Sequence, residues 1–282
     1  MNQMHMARWL LMGWGLGWGM CSGAAPALQT VNIRFLPTLA GQPASCGAPV
    51  EGQGLDQSVI TLADLRMFVS DMALIDNKGK AVPVQLVADG VWQADSAAML
   101  DFEDATGNCA NGTVPQHRAV VGRVPAGRYR GLQFTVGLPA RINHQDATLA
   151  PSPFNQTAMF WSWQAGYRFI KLELDVNKTG QADGFPIHIG STGCQSDSTT
   201  TPPTHCLQPN RVSVKLARFD PRLDQVQIDL SALLAQTRLQ TQAPHTAPGC
   251  MAAVDDPDCE GVLSALGLRG TAGQMVFKVW PR

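Results

Sequence analysis

The stretch FIKLELDV, residues 169–176, alternates without error: Ile170, Leu172, Leu174 and Val176 fall on one side, and Lys171, Glu173 and Asp175 on the other. A period of two with one apolar face is the pattern of a half-buried strand. The same period recurs in RVSVKL (211–216), QVQIDL (225–230) and GLQFTVG (131–137). Turn signals such as DNKG (76–79) and PAG (125–127) carry the Gly, Asn, Asp and Pro that tight reversals require. Helical spacing is confined to short pieces near 61–67, 230–236 and 261–267, none long enough to cross between parallel strands. The expected fold is therefore all-β: an antiparallel β-sandwich with long, disulfide-pinned loops and a few short helices.

The first residues combine one positive charge at Arg8, an apolar run and a cluster of small residues, which describes a secretory signal over residues 1–25. Residues 26–282 are then expected to form a single domain. Cys21 raises the question of a lipid anchor, but Trp18, Gly19 and Met20 fit the box that precedes a lipidated cysteine poorly. No later run approaches the roughly 20 apolar residues of a membrane helix, so no membrane span is expected. Charged residues make up 15% of the chain and the formal net charge is -1, which leaves no basic surface to release counterions from nucleic acid.

Seven cysteines are present, six of them after the signal. An even number in an exported chain reads as a disulfide framework, and the absence of any C-x-x-C pair speaks against zinc. Fifteen connectivities are open to six cysteines. The favoured set pairs Cys46 with Cys109, Cys194 with Cys206 and Cys250 with Cys259, because the last two bridges close short loops at low entropic cost.

Chemistry-bearing residues cluster in four places. MFWSWQAGYRF (159–169) concentrates Met159, Trp161 and Trp163 with three other aromatics in a chain that has 7% aromatic residues. Core packing is the plain explanation. In FPIHIGSTGC, Ile187 and Ile189 share one strand face and turn His188 to the other, beside Gly190. In the Pro-rich loop that follows Leu138, His144 precedes Asp146, and either that carboxylate or a backbone carbonyl is placed to orient the imidazole as outer partners of metal ligands do. Asp101, Glu103 and Asp104 form an acidic cluster read as solvated or turn-forming. There is no G-x-S-x-G elbow and no paired-carboxylate arrangement to argue for hydrolysis, so no enzymatic activity is expected. An intact indole has no in-plane lone pair to offer a metal; only oxidative opening to kynurenine, which bears an aryl amine and a ketone, makes a tryptophan a ligand.

Several blocks in order carry a family resemblance: LADLRMFVS, AMLDFEDATGNC, YRGLQFTVGLPARINHQD, SPFNQTAMFWSWQAGYRF, HIGSTGC, and APGCM followed by DDPDC. The chain resembles the methanobactin-associated MbnP family, also called metallo-mystery pair four-Cys motif proteins. The resemblance implies a periplasmic copper-binding protein of copper homeostasis, acting with a di-haem cytochrome c peroxidase or MauG-like partner. It implies that Trp161, the first tryptophan of W-x-W, is oxidised to kynurenine and takes part in binding copper. His144 and His188 are inferred as the imidazole ligands, with Trp163, Asp146 and Met159 around them. Imidazole and aryl nitrogen suit copper on independent grounds. The competing expectation is an exported, disulfide-rich sandwich that binds a protein or glycan through its aromatic loop, without metal.

Overall fold

The computed structural model describes residues 27–162, 164–178, 181–198 and 201–282. The expected signal over 1–25, Cys21 and Trp163 lie outside the described residues. Two sheets pack as a sandwich. The smaller runs in the order Phe277–Pro281, Asp224–Asp229, Leu28–Leu39, Ala119–Pro125, Gln85–Leu86, with Gln42–Pro43 added to the side. The larger has as its main path Phe160–Ser162, Gly166–Lys178, Ser58–Asp76, Tyr129–Val136, Val212–Leu216. Among the described residues the strands pair antiparallel except Leu28–Leu39 with Asp224–Asp229, which run parallel, and the isolated bridges Cys46–Leu62 and Ile187–Cys250 are parallel too. The antiparallel sandwich is as expected, with this one strand pair parallel within it. A parallel pair needs a long crossover, and here nearly the whole domain intervenes between the two strands.

The strand Gly166–Lys178 has the alternation its sequence demands. Ile170, Leu172, Leu174 and Val176 are buried opposite Met67, Leu65, Leu62 and Ile60 of Ser58–Asp76. Side chains this large contribute about 1.5–3 kcal/mol each when fully buried, so this row anchors the main core. Leu62 and Leu65 are an odd number apart and still share the core face, because a register shift between the pairs Glu173–Asp64 and Leu174–Leu62 leaves Ala63 unpaired. A bulge of this kind flips the alternation. It also explains why TLADLRM, read as helical, is strand: apolar positions three apart mimic a helical period when a bulge lies between them. The other two helical readings correspond to the helices Leu230–Leu234 and Pro257–Ala265.

The opposite face of the large sheet is divided. At one end Phe68, Met99, Leu138, Ile142, Phe154, Met159, Tyr167 and Phe169 form a second apolar cluster. Beyond it, the same face turns polar. Lys171 is paired across strands with both Arg66 and His188, Glu173 with Asp64, and Arg66 with Asp101. Asp64 accepts from Arg66 and Lys171. The aromatic run therefore has a mostly structural answer: Met159, Tyr167 and Phe169 are wholly buried packing. Trp161 stands apart, half-buried at the edge of the main core.

Three bridges pin the loops: Cys46–Cys109, Cys194–Cys206 and Cys250–Cys259. Among the described residues no helix is long and apolar enough to cross a membrane.

Candidate metal centre

His188 sits on Ile187–Gly190, whose register with Gly166–Lys178 sends Ile187 and Ile189 into the core and His188 to the polar face. The residue is 8% exposed. Nε2 lies 2.7 Å from Glu173 Oε1 and Arg168 Nε donates to Nδ1 at 3.3 Å. Since the guanidinium can only donate, Nδ1 is the acceptor and the ring proton resides on Nε2, directed at Glu173. The indole of Trp161 meets this imidazole edge-on, 6.4 Å between centroids and 85° between planes. Arg168 Cζ stands 5.7 Å over the indole, while Nη1 donates to the carbonyls of Ala158 and Phe160 at 3.1 and 2.8 Å. One guanidinium thus ties the entry to the Trp161 strand, the indole face and His188 together. Burial pulls the Arg168 pKa below its ordinary value, with Glu173 and Asp64 opposing that shift.

Gly190 makes the close approach of Trp161 feasible. A Cβ there would meet Tyr167 O at 2.7 Å and the indole carbons Cε3 and Cζ3 at 3.2 and 3.3 Å.

His144 ends the short helix Ala140–Asn143, its N–H bonded to Ala140 O at 3.1 Å. Asn143 Oδ1 accepts from Tyr167 N at 2.9 Å, which fixes the amide so that Nδ2 faces His144 Nε2 at 3.2 Å. Nε2 is therefore the acceptor and Nδ1 carries the proton. Nδ1 is buried with no hydrogen-bond partner. Burial lowers the His144 pKa, favouring the neutral imidazole a metal needs. Cys206 Sγ lies 3.5 Å from Nε2.

Trp161 and His188 are thus brought side by side, whereas His144 occupies a neighbouring cavity. Trp161, Cys194 and Met251 border an open groove of about 320 Å³. His144, His205, Cys206 and Arg211 border another of about 270 Å³. Ser191 lines both. The three expected ligands do not line a single pocket. The reason is the hairpin Thr192–Gln195 with His205–Gln208, whose disulfide stands beside His144.

Asp146 does not orient His144. It is exposed, and its Oδ1 accepts from Thr148 N and Oγ1 at 2.8 and 2.7 Å, a turn that lowers its pKa. Asn143 holds the imidazole instead. Met159, expected near the metal, is fully buried in the second apolar cluster and lines neither groove.

Of the two expectations for the acidic cluster, solvated or turn-forming, the turns are what the structure shows. Asp101 and Glu103 are buried, and Glu103 Oε1 accepts from Thr113 N at 2.6 Å. All three also cap local turns: Asp101 accepts from Glu103 N, Glu103 from Ala105 N, and Asp104 from Thr106 N and Oγ1.

Arg168, Glu173, Ser191 and Met251 were not singled out by sequence. Glu173 was visible as an outward residue of FIKLELDV, but nothing local showed that His188 would pair beside it. Met251 follows Cys250, whose backbone is bonded to Pro186 O and His188 N at 2.9 and 2.8 Å.

The donors suit copper in part. His144 has an acceptor nitrogen beside a groove, and the thioether of Met251 adds a soft atom beside Trp161. His188 has both nitrogens engaged. Of its two hydrogen bonds, the 3.3 Å contact from Arg168 is the longer and the weaker.

A family model described as MbnP matches residues 28–252. Among solved structures, MbnP from Methylosinus trichosporium is similar with a TM-score of 0.80 and 32% identity, covering 90% of this chain and 99% of that one. No curated protein matches the chain.

Proposed function

Because the chain belongs to the MbnP family, we propose that it is an exported, periplasmic copper-binding protein, not an enzyme, whose site is completed when a di-haem MauG-like partner oxidises Trp161 to kynurenine. His188 and His144 are the imidazole donors of this reading and the opened Trp161 supplies the aryl nitrogen. Copper carriage within copper homeostasis is the corresponding role.

The observation that carries the proposal is the juxtaposition of Trp161 and His188. Among the described residues of the aromatic run, Trp161 is the one whose ring stands against a histidine, and it borders a groove at the edge of the main core. Arg168 links the two events. Opening the pyrrole ring leaves an arene carrying an electron-withdrawing ketone, which weakens the hold of a cation over its face. Release of Arg168 then frees the lone pair of His188 Nδ1. Bound copper supplies a soft, redox-capable cation; the chain's own contribution is to place these donors and exclude competing protons.

The test is co-production with the di-haem partner. Ring opening adds two oxygens to give the N-formyl product, and its hydrolysis takes up water and releases formic acid, so the Trp161 peptide gains about 4 Da. Copper content should follow that gain, and Ala at His188 or His144 should reduce it. Full copper binding with Trp161 unmodified overturns the maturation step.

One observation favours a metal-free reading: both His188 nitrogens already have partners. The aromatic-loop version of that reading is weakened, since Met159, Tyr167 and Phe169 are buried and present no surface to a glycan. Absence of copper from gently purified, partner-matured protein would decide for it.

A further inference from the structure

We propose that the Cys194–Cys206 bridge conceals a second, soft-metal site: once the bridge is reduced, both cysteine thiolates and His144 Nε2 bind one cation of the Cu(I) class. His144 Nε2, Cys194 Sγ and Cys206 Sγ all lie within 4.8 Å of one another. While the sulfurs are joined they are not thiolates, and the cluster holds no metal ligand but the imidazole. Tetrahedral zinc-type sites, with metal–sulfur bonds near 2.3 Å, place donors about 3.5–3.8 Å apart. The contact of 3.5 Å between Nε2 and Cys206 Sγ already meets that spacing. Cleavage lets the second sulfur move away from the first toward the same separation.

The surroundings are arranged to survive cleavage. Cys194 and Cys206 stand directly opposite each other in a two-stranded sheet, so backbone hydrogen bonds keep them adjacent without the covalent link. The lone pair of Nε2 faces Asn143 Nδ2, but that amide also donates to Ala165 O at 3.2 Å, so it keeps a partner when a metal takes the nitrogen. Access is selective. Both Cys194 and Cys206 are half-buried, whereas Cys109, Cys250 and Cys259 have no exposure, so each of the other bridges has at least one sealed partner.

The chemistry balances with a dithiol reductant of the thioredoxin-like class. Its thiolate attacks one bridge sulfur to give a mixed disulfide, and its second thiol displaces the remaining cysteine. Two electrons and two protons pass to the bridge, leaving two thiols and an oxidised reductant. Metal binding then releases the two thiol protons. This site shares His144 with the copper reading but needs neither Trp161 nor its oxidation.

The experiment titrates Cd(II), a soft probe with a strong ultraviolet thiolate charge-transfer band, into the full chain before and after mild dithiol reduction under anaerobic conditions. One Cd(II) per chain with that band is expected only after reduction, in the wild type and in Trp161→Phe alike. Cys194→Ser/Cys206→Ser should lose it, and His144→Ala should bind about tenfold or more weakly. Alkylation and peptide mapping should show Cys194 and Cys206 as the reduced pair, protected by Cd(II); this readout stands even if the serine variant misfolds. Equal binding before and after reduction, label on another bridge, or an unchanged His144→Ala overturns the proposal. Failure of the copper reading shows separately, in the oxidised protein.

Discussion

The guanidinium of Arg168 donates to His188 Nδ1 at 3.3 Å while standing 5.7 Å over the indole of Trp161. A cation therefore holds the histidine's available lone pair at the place where the indole would be converted to a ligand. Arg168→Met removes that cation but keeps much of the apolar stem. It also strips the donors from the carbonyls of Ala158 and Phe160. Unsatisfied carbonyls of this kind cost about 1–3 kcal/mol each when buried, so urea unfolding should show a loss of that order. Against that loss, His188 should react faster with an imidazole-acylating reagent, read by peptide mapping. Unchanged reactivity would remove Arg168 from the role of guard.

Trp161→Phe keeps an aromatic ring against His188 and removes the pyrrole that can be opened. Stability should change little, because the residue is only half-buried. The mass gain at this position disappears, and with it copper binding in protein made alongside the di-haem partner. Inductively coupled plasma analysis of the purified variant checks the second outcome.

Gly166 adopts φ +78, and a Cβ there would lie 2.2 Å from Asn143 O. Both the left-handed backbone and the contact oppose any side chain. Gly166→Ala should destabilise the chain by about 1–3 kcal/mol and displace Asn143, whose amide fixes His144. Loss of the His144 imidazole's single tautomer, followed by nitrogen chemical shifts, distinguishes this from general loosening.

How far the site could be read in advance follows from which interactions are local. Alternation in FIKLELDV gave the strand, and the Ile187–His188–Ile189 alternation correctly turned His188 away from the core. Both depend only on the period of the backbone. The bulge at Ala63 could not be seen, because it is defined by the partner strand, and it made 61–67 look helical. Proximity in sequence suggests Asp146, or a backbone carbonyl, as the group that orients His144. In three dimensions Asp146 points to solvent, and Asn143 takes its place because Tyr167 N fixes that amide. Arg168 and Glu173 reach His188 through strand pairing alone. The separation of His144 from Trp161 likewise depends on where a hairpin far along the chain is laid down.

Asp101 gives the clearest dependence on pH. It is 1% exposed, and its pKa is pushed up to about 7, first by burial and then by the neighbouring Glu103, with Arg66 across the strand pair opposing. Glu103 N and Thr113 Oγ1 donate to its carboxyl at 3.3 and 3.4 Å, contacts too long to offset the burial. Unfolded, the same carboxyl titrates near 3.9. Between about pH 4 and pH 7 the folded chain therefore binds more protons at this position than the unfolded one, and stability falls as pH rises through that window. The stabilisation is complete below the unfolded value and lost above the folded one, with a size on the order of a few kcal/mol. Asp101→Asn keeps the shape and removes the titration, so the slope of unfolding free energy over this window should flatten relative to wild type. His144, whose lowered pKa tilts stability the opposite way below its ordinary value, is present in both proteins and drops out of the comparison. Parallel urea-unfolding curves for the two proteins at about pH 5 and about pH 8 would show that Asp101 does not carry the effect.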